Sequence, residues 1–397
     1  MRSRFAPRGF SLIEMMIAST IALFIIAGAV SAGIYLQRRG LLEERTMETQ
    51  NAGRAARDLL SPAVQRAGAG FGSAPLYLGG APENLRYAVS VSSDAGFSGD
   101  PTFALPTGTY AGMQSDVLEI FEADIARALR LDNCGASDVR MGGNNNGPLC
   151  LERPAPPDSD AGIPANTPLI VADPQVRAAC VGVAQAGRNS GGNNNLSWTL
   201  GAPGAAAFAA NSPCSGTAPI PPLFDDARPE SDGLLMPLSA RAFRVNWKSG
   251  QPVLEMDPDG SLGAQGYQPL SDEIERLQVR LGVEITPGAA LVYYPDPTSI
   301  PVRPALDQCT NAACWPHLAA VDAGVMGVND YGPGSARDEL MRRVRVVELA
   351  ITARSDRPDS QSVIDGGADD ENNPMDGYKR RHFIIRVAPR NFGFAGG

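Results

Sequence analysis

Between Met15 and Leu36 lie 22 consecutive positions without a charge, the one long apolar segment of the chain. As a helix at about 1.5 Å per residue this segment spans roughly 33 Å, enough to cross the hydrocarbon core of a bilayer. From Gln37 to about Gly68 the pattern becomes amphipathic. Leu42, Met47, Ala52, Ala56, Leu59, Leu60, Ala63 and Val64 approximate one face, and Glu, Arg and Gln fill the rest. The two stretches together predict a single long helix, half for a membrane and half under a globular head. Gly28, Gly33, Gly40, Gly53 and Pro62 each lower helix preference, and Pro62 also removes a backbone donor, so local bending or melting is expected there in an assembled filament.

Beyond residue 70 the period changes to two. Leu277, Val279, Leu281, Val283 and Ile285 alternate with mostly polar neighbours, as do Phe383, Ile385 and Val387. Shorter strand candidates are Asp116 to Phe121, Leu169 to Ala172, Ala242 to Trp247, Leu291 to Tyr294 and Val344 to Ile351, punctuated by Gly, Pro and Asn turns. The expected fold class is α+β, with an antiparallel sheet covering the exposed half of the first helix. Residues 133–235 read as a loop-rich insertion, in which Gly142-Gly143-Asn144-Asn145-Asn146 is echoed by Gly191-Gly192-Asn193-Asn194-Asn195. So short a turn-prone string recurs easily and signals loops rather than core.

A length of 397 residues with 43 Gly and 33 Pro fits one elaborate, loop-rich domain. The formal charge of −9 argues against a nucleic-acid partner, which would call for a basic face. All six cysteines, Cys134, Cys150, Cys180, Cys214, Cys309 and Cys314, follow the apolar segment, an even number on one side of a membrane. That arrangement fits disulfides in an oxidising compartment. Order along the chain suggests Cys134 with Cys150, Cys180 with Cys214 and Cys309 with Cys314, although order alone cannot select among the possible pairings. No C-x-x-C pair occurs and the two histidines, His317 and His382, stand apart, so zinc-site spacing is missing.

Arg2, Arg4 and Arg8 precede the apolar segment, which keeps the start in the cytoplasm and sends the head outward, against a competing Arg38-Arg39 pair. Glu14 is the anomaly. An ionisable group at such a helix costs up to about 3 kcal/mol at the centre unless it finds a partner. A cut between Gly9 and Phe10 creates one, because the new α-amino group is a cation at the depth of Glu14, in its own chain or in a neighbour. The same cut removes the three leading arginines and takes the formal charge from −9 to −12. Arg8-Gly9-Phe10-Ser11-Leu12-Ile13-Glu14 resembles the cleavage and assembly motif of type IV prepilins and type II secretion pseudopilins. The resemblance implies that Gly9 occupies the prepilin peptidase site, that Phe10 becomes the N-methylated first residue, and that Glu14 pairs with a neighbour's terminus. It divides the chain into a leader (1–9), a filament-core helix (10–36), its amphipathic continuation (37–70) and a head (71–397). Two competing readings are a secretory signal cut after Ala27-Gly28-Ala29, for which the apolar segment is too long, and an uncut anchor on an unrelated periplasmic binding protein.

The run Asn51-Ala52-Gly53-Arg54-Ala55-Ala56-Arg57-Asp58-Leu59-Leu60, with Arg66-Ala67-Gly68 and Gly72, is similar to the helix end of minor pilins of the PilW type. So are Arg342 to Ser355 and Arg380-Arg381-His382-Phe383 through Arg390-Asn391. Pro62 and the long insertion depart from that pattern. The resemblance implies a non-enzymatic minor pilin of the inner membrane, its head periplasmic before assembly and at the cell surface afterwards. Implied partners are minor and major pilins, the pilus assembly platform and a tip adhesin. A secretion pseudopilin shares the same first fourteen residues.

Chemistry elsewhere is sparse. No G-x-x-x-x-G-K, H-E-x-x-H or G-x-S-x-G motif occurs, and no cofactor is indicated. The acidic run from Asp365 to Gly377 supplies hard oxygen ligands, with Asp365, Asp369, Asp370 and Asp376 as calcium candidates, and Asp257-Pro258-Asp259-Gly260 offers a smaller set. Neither has EF-hand spacing, and a solvated acidic loop is the commoner outcome.

Overall fold

The computed structural model describes residues 11–79, 84–93, 100–131, 149–151, 163–173, 178–185, 195–196, 198–200, 214, 233–263, 265–285, 288–318, 335–359, 363–369 and 373–392. Its first element is a 55-residue helix, Leu12–Arg66, which runs through Gly53 and Pro62 without interruption. Pro62 is exposed and lies inside the helix only four residues from its end, while Gly53 is held by packing described below.

The helix is exposed from Leu12 to Glu44 and enters the head at Arg45. Its buried residues are Thr49, Ala52, Gly53, Ala56, Leu60, Ala63 and Val64, a stripe of mostly small side chains at three- and four-residue intervals. Three residues expected on that face are exposed. At about 100° per residue Met47 lies on the opposite side from Thr49 and Leu59 lies roughly 80° off the stripe. Leu42 shares the stripe's direction but stands beyond the reach of the head.

The stripe packs on an antiparallel four-stranded sheet in the order Val292–Tyr294, Ile274–Val283, Val344–Arg354, Arg380–Val387. Leu277 pairs with Ile351 and Ile351 with Phe383; Val279, Leu349 and Ile385 align the same way, as do Leu281, Val347 and Val387. These apolar rows face the helix, and the alternate rows face away. The strands expected over 277–285, 291–294, 344–351 and 383–387 all lie here.

The head also holds a second, larger sheet, which takes in the strands expected over 116–121, 169–172 and 242–247. Its spine is the 13-residue strand Leu234–Asn246, which pairs with Val117–Ala123, Val253–Asp257 and Pro168–Asp173 along different parts of its length. Pro168–Asp173 continues to Ala178–Ala184, and Leu76–Tyr77 joins the latter in a parallel pair. Residues 133–235 therefore contribute more than loops, since Leu169, Ile170, Val171, Ala179, Cys180 and Val181 are all buried in the core. The two Gly/Asn strings lie outside the described residues apart from Asn195, which sits in a short strand.

Cys180 is bonded to Cys214 and Cys309 to Cys314, two of the three pairings suggested by order. Cys150 is also disulfide-bonded, and Cys134 lies outside the described residues.

Candidate functional site

The helix begins with a reciprocal cap. Ser11 is extended, its Oγ accepts a hydrogen bond from Glu14 N at 3.3 Å, and Ser11 N donates to Glu14 Oε2 at 3.0 Å. Two of the donors that every helix start leaves unpaired are thereby satisfied, and the Glu14 carboxylate is drawn back toward the start of its own helix, three residues from the backbone that precedes it. Gly9 and Phe10 lie outside the described residues.

Beyond the cap, Ile13, Met16, Ile17, Ile21, Phe24 and Ile25 are all more than half exposed, and the apolar surface continues around the helix to Leu36. Among the described residues this is one helix long and apolar enough to cross a membrane. A helix apolar on every side requires lipid or other helices around it. Inside the segment the hydroxyls of Ser19 and Thr20 donate back to Met16 O at 2.9 and 3.0 Å, so these polar side chains need no external partner.

At the other end the helix is fastened to the head. Arg390 N donates to Gln65 O at 3.1 Å, and Asn391 Nδ2 donates to Ala67 O at 3.2 Å, so the C-terminal segment caps carbonyls that the helix end leaves open. Gly68 N donates to Phe121 O at 2.9 Å, which ties the helix end to the larger sheet. Gly68 has φ +73°, and a Cβ there would stand 2.4 Å from Gly72 O, so this turn requires glycine at 68. The segments around Arg66 to Gly72 and Arg390-Asn391, far apart in sequence, thus meet at one joint.

The acidic run near the C-terminus is only partly described. Asp376 is committed to protein partners: Arg380 Nη1 and Nη2 reach its two oxygens at 2.7 and 2.6 Å, and Tyr110 Oη donates to Oδ2 at 2.7 Å. Burial raises the Asp376 carboxyl, but the bonds from Arg380 and Tyr110 outweigh it and hold it below its ordinary value. Arg380 also forks onto Glu275, with Nε and Nη2 at 2.6 and 2.9 Å from a carboxylate that is wholly buried. Asp369 accepts both Asn373 N at 2.7 Å and Asn373 Nδ2 at 3.0 Å. The Asp365 side chain and Asp370 fall outside the described residues, and among those described no three His, Cys, Asp or Glu side chains gather where they could hold a metal ion.

In the smaller acidic set, Asp257 is buried and its Oδ1 accepts Asp259 N at 3.3 Å and Gly260 N at 3.1 Å. His382 lies exposed on the last strand, with Nδ1 2.9 Å from Thr352 Oγ1. The joint at Gly68 and the Glu275–Arg380–Asp376 cluster carry no local signal that could have announced their contacts.

Residues 4–30 match the family model described as the prokaryotic N-terminal methylation motif. No curated protein and no solved structure matches the chain. The motif, which heads an exposed apolar helix, supports a type IV pilin-like protein. It fits a membrane-anchored, structural pilin that is processed by prepilin peptidase and has pilus-related partners.

Proposed function

We propose that this chain is a minor pilin of the PilW type, which enters a type IV pilus at its tip or in its initiation complex and promotes assembly. The observation that carries this reading is the continuity of one helix from the methylation motif to the joint with the head. Removal of residues 1–9 exposes the Phe10 amine one residue before Ser11, and Glu14, already folded toward the helix start, supplies the carboxylate for a neighbour's N-methylated terminus. Paired and hydrogen-bonded, the two charges fix the register in which exposed apolar helices pack. Lipid covers those helices before assembly, and other pilins cover them afterwards.

The meeting of Arg66 to Gly72 with Arg390-Asn391 supports the narrower assignment, because these are the segments that resemble PilW-type endings. The bulk of the two-sheet head supports a tip position, since a large head is harder to repeat along a dense helical array. The proposal carries calcium at the acidic run no further, because Asp376 is engaged by Arg380 and Asp369 by Asn373.

The test is co-purification of the tagged full-length chain from sheared filaments and from membranes, with quantitative proteomics. Recovery with pilus tip components supports the reading, recovery with secretion components assigns the chain to a type II secretion pseudopilus, and recovery from membranes alone overturns both.

A further inference from the structure

One edge of the helix-bearing sheet is closed by the chain itself. Val292–Tyr294 pairs with residues 281–283 of strand Ile274–Val283, and further along Asp116 N donates to Leu277 O at 2.8 Å while Val279 N donates to Asp116 Oδ2 at 2.7 Å. Among the described residues the opposite edge is open. Strand Arg380–Val387 pairs with Val344–Arg354 through eight consecutive positions without a bulge, and among the described residues no segment pairs with its other side. Such an edge is a template for another strand, and proteins usually blunt it with a bulge, a proline or charge.

Here only charge is present, and it has one sign. Arg381, His382, Ile384 and Arg386 are exposed, Ile384 by 68%, and no Asp or Glu occurs from Arg380 to Val387. Arg380 is neutralised by Glu275 and Asp376. Glu348 serves both Arg386 at 2.8 Å and Arg280 at 3.1 Å, so that trio keeps one net positive charge. The two guanidiniums stand 5.2 and 5.5 Å from the centre of the Tyr293 ring. Arg381 makes no ion pair among the described residues.

This pattern opposes a second copy. Two such edges brought together would gather Arg381 and Arg386 of both copies along one ladder, with no carboxylate on either strand to offset them. We propose that the free edge of strand Arg380–Val387 takes up an extended segment of a different protein, with acidic side chains opposite Arg381 and Arg386 and an apolar one against Ile384. Main-chain hydrogen bonds over roughly 26 Å supply the attachment, and the alternating side chains supply the choice of partner. The proposal goes beyond the filament reading and stands whether or not that reading holds.

The experiment is hydrogen exchange of the full-length chain in detergent with two eight-residue probes, Thr-Glu-Thr-Val-Thr-Thr-Glu-Thr and the same peptide with lysine in place of glutamate. The glutamate peptide is expected to slow exchange over 380–387 about tenfold at ten times its Kd, and the lysine peptide to leave it unchanged. Arg381→Glu, an exposed position, should abolish that preference, because each peptide then meets one like and one opposite charge, with exchange over 344–354 as the folding control. Equal protection by both peptides, protection by neither, or concentration-dependent protection without peptide, which would place a second copy on the edge, overturns the proposal.

Discussion

Gly53 of the long helix and Phe383 of the last strand share one space: a Cβ on Gly53 would stand 2.2 Å from Phe383 Cε2 and 2.4 Å from Cζ. Glycine is there for its missing side chain, which lets the ring seat directly on the helix backbone. Alanine would gain about 1 kcal/mol of helix preference but force the ring aside, and overpacking costs about 1–3 kcal/mol. Gly53→Ala is expected to lose about 1 kcal/mol in urea unfolding followed by tryptophan fluorescence, and Phe383→Leu in that background to restore it. A net gain from Gly53→Ala alone would show that the ring yields freely.

The joint at the helix end makes a sharper contrast. Gly68 combines φ +73° with backbone in the way of a Cβ, whereas Gly28 has nothing within 4 Å. Gly68→Ala should destabilise the head by about 1–3 kcal/mol, while Gly28→Ala should leave head unfolding unchanged. Equal effects would contradict the role given to the joint.

Arg380 is held by two carboxylates, one of them wholly buried. Truncating it leaves Glu275 charged in the interior, for which losses of about 3–5 kcal/mol are typical. Arg380→Met should therefore unfold at much lower urea than Arg357→Met, an exposed control, and Glu275→Gln in the same chain should recover part of the loss.

Two carboxyls give stability opposite slopes with pH. Burial, with the Asp259 carboxyl side chain beside it, pushes Asp257 up to about 6. The folded state then binds a proton that the unfolded chain releases near pH 4, so this contribution is full below pH 4, declines as pH rises from about 4 to 6, and is flat above. The bonds from Thr102 and Arg244 hold Asp100 down to about 2, so its contribution is present above pH 4 and is lost as pH falls toward 2. Urea midpoints between pH 2 and 7 should show both limbs, and Asp257→Asn should remove the upper one only.

The disulfides differ in loop length, with separations of 34 for Cys180–Cys214 and 5 for Cys309–Cys314. Constraint of the unfolded chain assigns about 4 kcal/mol to the first and about 2 kcal/mol to the second. Paired serine substitutions, compared by urea unfolding, should rank in that order.

The long helix could be read from residues 15–68 because charge absence and a repeat of three to four are local properties. The reason for Gly53 could not, since Phe383 is 330 positions away in sequence. Alternation marked the strands of the helix-bearing sheet, but Leu234–Asn246 was visible only at its end, because Pro237 interrupts the local signal and one of its partners, Val117–Ala123, lies more than a hundred residues upstream. Asp376 looked like a cation ligand for the same reason: sequence shows its acidic neighbours and hides Arg380 and Tyr110 folding onto it. Glu14 stands out in the sequence because a charge in an apolar helix is anomalous wherever it occurs.

The central claim concerns the N-terminus, and intact-mass and N-terminal peptide analysis of membrane-extracted protein, from cells with and without prepilin peptidase, tests it most directly. The prediction is a chain that starts at N-methylated Phe10 only when the peptidase is present. A chain that keeps Met1 in both strains, or one that starts near Val30, would contradict it.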